Sequence, residues 1–396
     1  MQMNGLRNFI DKIKPTFSEG GKLSWLSQTF GGFETFAFTP NKVTHRGSHV
    51  RDAVDMKRAM ITVVIALVPA MLFGMWNIGY QTSEALVAQG GEAFGWWYCL
   101  WFGFVRMLPM LVVSYVVGLG IEFTYAQIRG HEVYEGYLVS GFIIPMIVPV
   151  TTPLWQLALA VAFAVIFAKE VFGGTGMNFL NPALVARAFL FFSYPTHMSG
   201  DKVWIAADMW GSDALTGATP MGELATGMHP QASALDMIIG TIPGSTCETS
   251  VIAIALGALI LLISGIASWR TMLAVFIGGG AMGLLFNAIG ANEYMQLPFY
   301  YHFIMGGFAF GAVFMATDPV TSAQTNCGKW IYGILIGAFA VLLRVLNPAY
   351  PEGMMLSILL MNCFAPLIDH CVVASNIKRR ERRIAAVANE RKEAQR

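Results

Sequence analysis

Ten runs of predominantly apolar residues, most of them about 20 residues long, divide this chain, and no other feature narrows its fold as much. A helix needs about 20 such residues to cross a hydrocarbon core. The runs fall near residues 59–79, 100–125, 136–150, 153–172 and 181–196, then near 249–267, 271–289, 299–316, 329–346 and 352–373. The third is short and interrupted by Pro145 and Pro149. Composition agrees, since 55% of the 396 residues are hydrophobic and only 12% charged, which suits a bilayer better than water. The sequence therefore predicts an all-α integral membrane protein of about ten transmembrane helices.

The net charge of +1 conceals a sorting of cations toward the two ends. Residues 1–58 hold Arg7, Lys12, Lys14, Lys22, Lys42, Arg46, Arg51, Lys57 and Arg58, and the tail carries Lys378, Arg379, Arg380, Arg382 and Arg383. Cationic flanks stay on the cytoplasmic side, so both termini are expected inside. Arg129, Lys169, Arg187, Arg270 and Lys329 fall at connections or helix ends that this topology also places inside. The segment 197–248, with Lys202 as its only cation, is then outside. Three parts follow: a cytoplasmic arm at 1–58, a transmembrane domain at 59–373 and a basic cytoplasmic tail at 374–396. The first apolar run is of full spanning length, and no shorter signal-like run precedes it.

Within the membrane domain, Asn181-Pro182-Ala183 can be set against Asn347-Pro348-Ala349, and Pro149 against Pro319 at a similar offset. Two five-helix halves would follow, and an odd number of helices per half makes the halves inverted, with sites near the midplane at broken helices. Gly173-Gly174-Thr175-Gly176 and Pro351-Glu352-Gly353 are such breaks. Chance likeness of a proline-containing tripeptide is the competing explanation.

The five cysteines form no C-x-x-C pair and sit in or beside apolar runs as small filler. Among the histidines only His45 and His49 have an i, i+4 spacing. No resident metal is expected, and no nucleic-acid partner.

The most informative stretch is Asp213-Ala214-Leu215-Thr216-Gly217-Ala218-Thr219, in the outside segment. It fits D-x-x-[ST]-G-A-T and resembles the pattern read by the transferase that moves FMN from FAD onto a threonine or serine hydroxyl. A threonine hydroxyl is a weak nucleophile that needs an external base, and Gly217 and Ala218 allow close approach to the backbone. A polar turn is the alternative reading. Further stretches are Ser48-His49-Val50-Arg51-Asp52, Lys169-Glu170-Val171-Phe172-Gly173-Gly174-Thr175-Gly176, Asn178-Phe179-Leu180-Asn181-Pro182-Ala183, Ala316-Thr317-Asp318-Pro319 and Asn347 to Met355. With these, nearly the whole chain resembles the B-subunit family of the sodium-translocating NADH:quinone oxidoreductases and, more distantly, the D subunit of Rnf complexes.

That resemblance implies a six-subunit complex of the bacterial inner membrane in which NADH is oxidised on a partner. Electrons would reach covalent FMN on Thr219, then a noncovalent riboflavin, then ubiquinone, with Na+ moved across the membrane. The flavin transferase would be a maturation partner. No G-x-G-x-x-G follows any strand pattern, which agrees with NADH binding elsewhere.

Asn178 and Asn181, three apart at the start of the fifth run, fall on one helical face if the helix includes both and are read as riboflavin ligands, with helix capping as the alternative. Charges inside spans are costly, which singles out Arg106, Glu122, Lys169, Glu170, Arg187, Arg344 and Asp369. Glu122 and Asp369 are assigned to the ion path, against a structural bridge to Arg344 or Arg106. Gly118 and Gly120 leave room for a flat ring and mark the quinone vicinity. A carrier without redox function would explain the broken helices but leave the flavinylation pattern unused. A scaffold for soluble subunits would explain only the basic ends.

Overall fold

In a computed structural model, residues 4–17, 56–130, 136–201, 203–206, 217–347 and 353–394 are described, with scattered positions between 23 and 50. All regular structure among them is helical. Six helical segments are long and apolar enough to cross a membrane: α2 (Met56–Ala88), α3 (Trp96–Arg129), the segment Leu154–Phe172, α10 (Trp269–Ile289), α13 (Asn326–Leu346) and α14 (Gly353–Ala394), the last apolar to about its middle. A short helix α1 (Asn4–Phe17) precedes them, tied by Arg7 and Lys14 to Glu34.

The remaining apolar runs are helical but short. They give α4 (Tyr137–Ile147), α6 (Pro182–Ser193) and α9 (Val251–Ile263). The run 299–316 breaks into α11 (Tyr301–Ile304), α12 (Phe308–Phe310) and a π-helical turn Gly311–Met315. Prolines and glycines cause these interruptions. Val148, held extended before Pro149, ends α4. Gly306, at φ +61, and extended Met305 separate α11 from α12.

Backbone groups released at such breaks need partners inside the protein. Cys247 donates its N–H to the Met146 carbonyl at 2.9 Å, and Thr246 Oγ1 donates to the Val148 carbonyl at 2.7 Å, closing the end of α4. The guanidinium of buried Arg344 donates to the His302 carbonyl at 2.8 Å, closing the end of α11.

Glycines set the tight helix pairs. A Cβ at Gly79 or Gly103 would strike backbone across the α2–α3 contact, and one at Gly278 or Gly337 would do so across α10–α13. The apolar core runs through these helices, while Ile65, Leu72, Val112 and Val116 stay exposed on outer faces. This is the all-round apolarity of membrane helices.

The segment Leu154–Phe172 begins as α5 (Leu154–Phe163), widens to a π-helix over Ala164–Lys169 and ends in a 3-10 turn, Glu170–Phe172. Gly173, Gly174 and Gly176 then take φ values of +117, +93 and +96, open only to glycine at low strain, and reverse the chain toward α6. Between α6 and α9 the described residues form a 3-10 turn, Pro195–His197, and two short α-helices, α7 (Pro220–Ala225) and α8 (Ala234–Ile239).

Candidate functional site

Two clefts flank α6. The first holds its N-terminal end, where Asn181 is the N-cap rather than part of the helix. The backbone of Asn181 is extended before Pro182, and its Oδ1 accepts from the Ala183 N–H at 3.0 Å. Asn178 lies in the preceding turn, accepting from Gly176 N–H at 3.2 Å and donating to the Leu180 carbonyl at 3.1 Å. The two amides therefore do not share a helical face, because proline at the first helical position starts α6 after both. They nevertheless line one cleft together with Lys169, Thr175, Thr317 and Asp318. Asn181 Nδ2 also reaches Asp318 Oδ2 at 3.4 Å, joining the break before α6 to the one after Gly311–Met315.

Glu122, on α3, is buried and ion-paired with Lys169. The ammonium also lies 5.7 Å from the centroid of the Tyr137 ring. The bridging partner is thus Lys169 and not Arg344 or Arg106, since the π-helical turn brings Lys169 against α3. Asp369 stands elsewhere, half-buried on α14. It accepts from the N–H groups of Gln324 and Thr325 at 2.6 and 3.0 Å and from Thr325 Oγ1 at 2.6 Å, holding the start of α13. The structure does not bring the two carboxylates onto a common partner. At Gly118 the expected room is filled by the Tyr137 ring, into which any Cβ would run, whereas Gly120 faces open space.

The second cleft opens beside Thr219. Asp213 and Thr216 lie outside the described residues. Gly217 donates its N–H to the Asp201 carbonyl at 2.9 Å, and Ala218 leads into Thr219, the half-buried N-cap of α7, whose Oγ1 accepts from Gly222 N–H at 3.0 Å. Around the same cleft stand Trp204, Arg187, Glu248 and the Gly306-Gly307 joint. Arg187 Nη1 donates to both carboxylate oxygens of Glu248 at 2.8 and 2.9 Å, and Nη2 donates to Ser245 Oγ at 3.2 Å. Gly307 lies so close that a Cβ would approach the Glu248 carboxylate to 2.7 Å.

Arg187 is thus buried within α6 and neutralised there, not a cation of an inside connection as its charge suggested. Glu248 does not stand out in the sequence because it lies just outside an apolar run. A carboxylate immediately before such a run, with an arginine inside the preceding one, was the available signal. Asp318 was visible only as part of Ala316-Thr317-Asp318-Pro319.

A bundle of apolar helices with broken segments and polar groups gathered at the breaks, two of them lining clefts, defines a multi-pass membrane protein. The NQR2, RnfD, RnfE family model matches residues 43–378, and the chain belongs to that family. It is similar to proteins named as the B-subunit of Na(+)-translocating NADH-quinone reductase. The one from Ectopseudomonas mendocina is 48% identical over 95% of this chain and 98% of its own length. That from Chromohalobacter salexigens is 47% identical over 96% and 97%, and that from Klebsiella pneumoniae 46% over 96% and 100%.

Proposed function

We propose that this chain is the membrane subunit of a sodium-translocating NADH-quinone reductase, carrying FMN as a phosphoester on Thr219 and passing electrons by way of a noncovalent riboflavin to ubiquinone. The observation that carries this reading is the position of Thr219. The last residue of the flavinylation pattern stands on the lip of a cleft lined by a buried ion pair and glycines, and a side chain at Gly307 would run into the Glu248 carboxylate there.

Attachment is a group transfer. The Thr219 oxygen forms a bond to the FMN phosphorus, the phosphoanhydride of FAD breaks, AMP leaves, and the transferase base takes the hydroxyl proton. Among the described residues Oγ1 accepts from Gly222 N–H and donates to none, which leaves its proton available. A bound flavin supplies one- and two-electron transfer. Asn178 and Asn181 offer amide donors and acceptors to a ring edge in the other cleft. α6 joins the two clefts: from Asn181 to Arg187 the helix rises about 9 Å, at roughly 1.5 Å per residue.

In this reading Glu122, besides pairing with Lys169, and Asp369 serve the ion path, the open face at Gly120 marks the quinone vicinity, and five partner subunits complete the assembly in the bacterial inner membrane. NADH is oxidised on one of those partners.

Thr219→Ala removes one half-exposed hydroxyl and little packing. Intact-mass analysis of the purified subunit should show FMN on the parent protein and none on the variant, with both inserted in the membrane. An FMN mass retained on the variant would place the attachment elsewhere.

A further inference from the structure

We infer that Arg187 and Glu248 act in opposite senses on the reduction potential of the group carried on Thr219, the guanidinium favouring its reduction and the carboxylate opposing it, so that their pairing holds that potential balanced. The inference rests on the attachment reading above. It makes Arg187 and Glu248 positioning and tuning residues, distinct from the residue that carries the covalent bond.

Three observations lead to it. Both members of the pair line the cleft that Thr219 borders. Both are nearly inaccessible, with side-chain exposures of 9% for Arg187 and 4% for Glu248, so their fields are weakly screened. Their geometry is also fixed. One guanidinium nitrogen bridges both carboxylate oxygens, a second donates to Ser245 Oγ, and the lack of a side chain at Gly307 leaves the carboxylate its place.

Structural need alone does not account for this placement. The Asn181 and Ser250 caps already satisfy the helix ends nearby, and the carbonyls at the end of α4 are closed by Thr246 and Cys247. A buried ion pair is weak evidence for stability, because the cost of desolvating both charges consumes most of their attraction. A preorganised pair at a redox cleft has another use. Reduction adds negative charge, and fixed charges in a water-poor site act on it far more strongly than they would in water. As long as the pair is intact the two effects largely cancel, so removing one member exposes the other.

The sign of the change separates tuning from scaffolding. In the purified complex, Glu248→Gln keeps the shape of the side chain and leaves Arg187 charged, since a guanidinium does not release its proton. The reduced-to-oxidised ratio of the Thr219-bound flavin at a fixed potential should rise about tenfold or more, which is 59 mV for a one-electron couple. Arg187→Gln should shift the midpoint in the opposite direction, Arg187→Lys should stay near the parent value, and the double Arg187→Gln, Glu248→Gln should return toward it.

Spectroelectrochemical titration reads all four. Flavin fluorescence of the denatured subunit, run on the same samples, reports whether the flavin is attached at all. If the parent subunit carries no covalent flavin, the attachment reading falls. If flavin is present in parent and variants but Glu248→Gln leaves the midpoint unmoved, or the two single variants shift it in the same direction, tuning is refuted while attachment stands. If Glu248→Gln fails to assemble, the double variant, which keeps the cleft neutral, carries the comparison against Arg187→Gln. Equal midpoints for those two would likewise refute the inference.

Discussion

Lys169 and Glu122 form a contact that separates a bridge from an ion ligand at the scale of single residues. Both are buried, at 3% exposure each, and each is the other's ion-pair partner. Removing one charge from such a pair leaves the other uncompensated in a poorly solvating interior, at a cost of about 3–5 kcal/mol. Glu122→Gln should therefore melt well below the parent complex, whereas Glu122→Leu with Lys169→Met should recover most of the loss, because two apolar groups of similar volume need no counter-charge. Thermal unfolding of the three preparations checks this. The ion-path reading adds that surviving Glu122→Gln complexes have a lower apparent sodium affinity for quinone reduction; a normal sodium response would leave the carboxylate as the bridge to Lys169 alone. Asp369 is expected to behave differently. Its hydrogen bonds to Gln324 and Thr325 anchor the first turn of α13 from a neighbouring helix, so its loss should loosen that turn without leaving a buried charge.

At the scale of elements, α10 and α13 pack so closely that glycine is required at the contact. Gly333 and Gly337 are spaced four apart on α13, and a Cβ at Gly337 would collide with the Val275 carbonyl of α10. Close approach through small residues is a main source of helix association in membranes, where lipid is as apolar as leucine. Gly337→Val should push the two helices apart and lower the melting temperature more than Gly290→Ala would. Gly290 sits at the C-terminal end of α10, where an added Cβ would meet only the Asn287 carbonyl at an ordinary 3.8 Å, although its positive φ adds a small strain. Comparable melting of the two variants would deny the contact its role.

The elements also show how far the sequence reached. Every apolar run carries helix, because hydropathy reports which residues avoid water. It does not report unbroken hydrogen bonding, so α4, α6, α9 and the run 299–316 are shorter or more broken than the runs that contain them. Thr219 and the two asparagines were legible because local patterns mark them. The pairs Lys169–Glu122 and Arg187–Glu248, 47 and 61 residues apart in sequence, were not, since only the packing of the π-helix Ala164–Lys169 on α3, and of α6 on the segment before α9, brings them together.

For the whole molecule, whether the short helices cross the membrane decides which face carries Thr219. α9 has 13 residues and rises about 20 Å, less than the roughly 30 Å of a hydrocarbon core, and α11 with α12 is interrupted at Gly306. Such segments cross only if their non-helical backbone is buried in protein, as the Arg344 bond to the His302 carbonyl arranges at one break. The cation rule still favours inside termini after correction. Lys169 and Arg187 are buried in ion pairs and no longer count, but Arg129, Arg270, Lys329 and the run from Lys378 to Arg383 remain near helix ends. Five apolar runs separate His197 from the tail, so if each crosses once these two points lie on opposite faces. The test starts from a variant in which the exposed Cys327, Cys363 and Cys371 are serine, leaving only buried Cys99 and Cys247. Into it, His197→Cys and Ala386→Cys are introduced singly. A membrane-impermeant thiol reagent, applied to cells with a permeabilised outer envelope, should label position 197 and reach position 386 only after the inner membrane is opened. Labelling of both from the same side would mean that α9 or the broken run turns back without crossing. Thr219 would then face the compartment of the basic tail, where an exported transferase could not reach it.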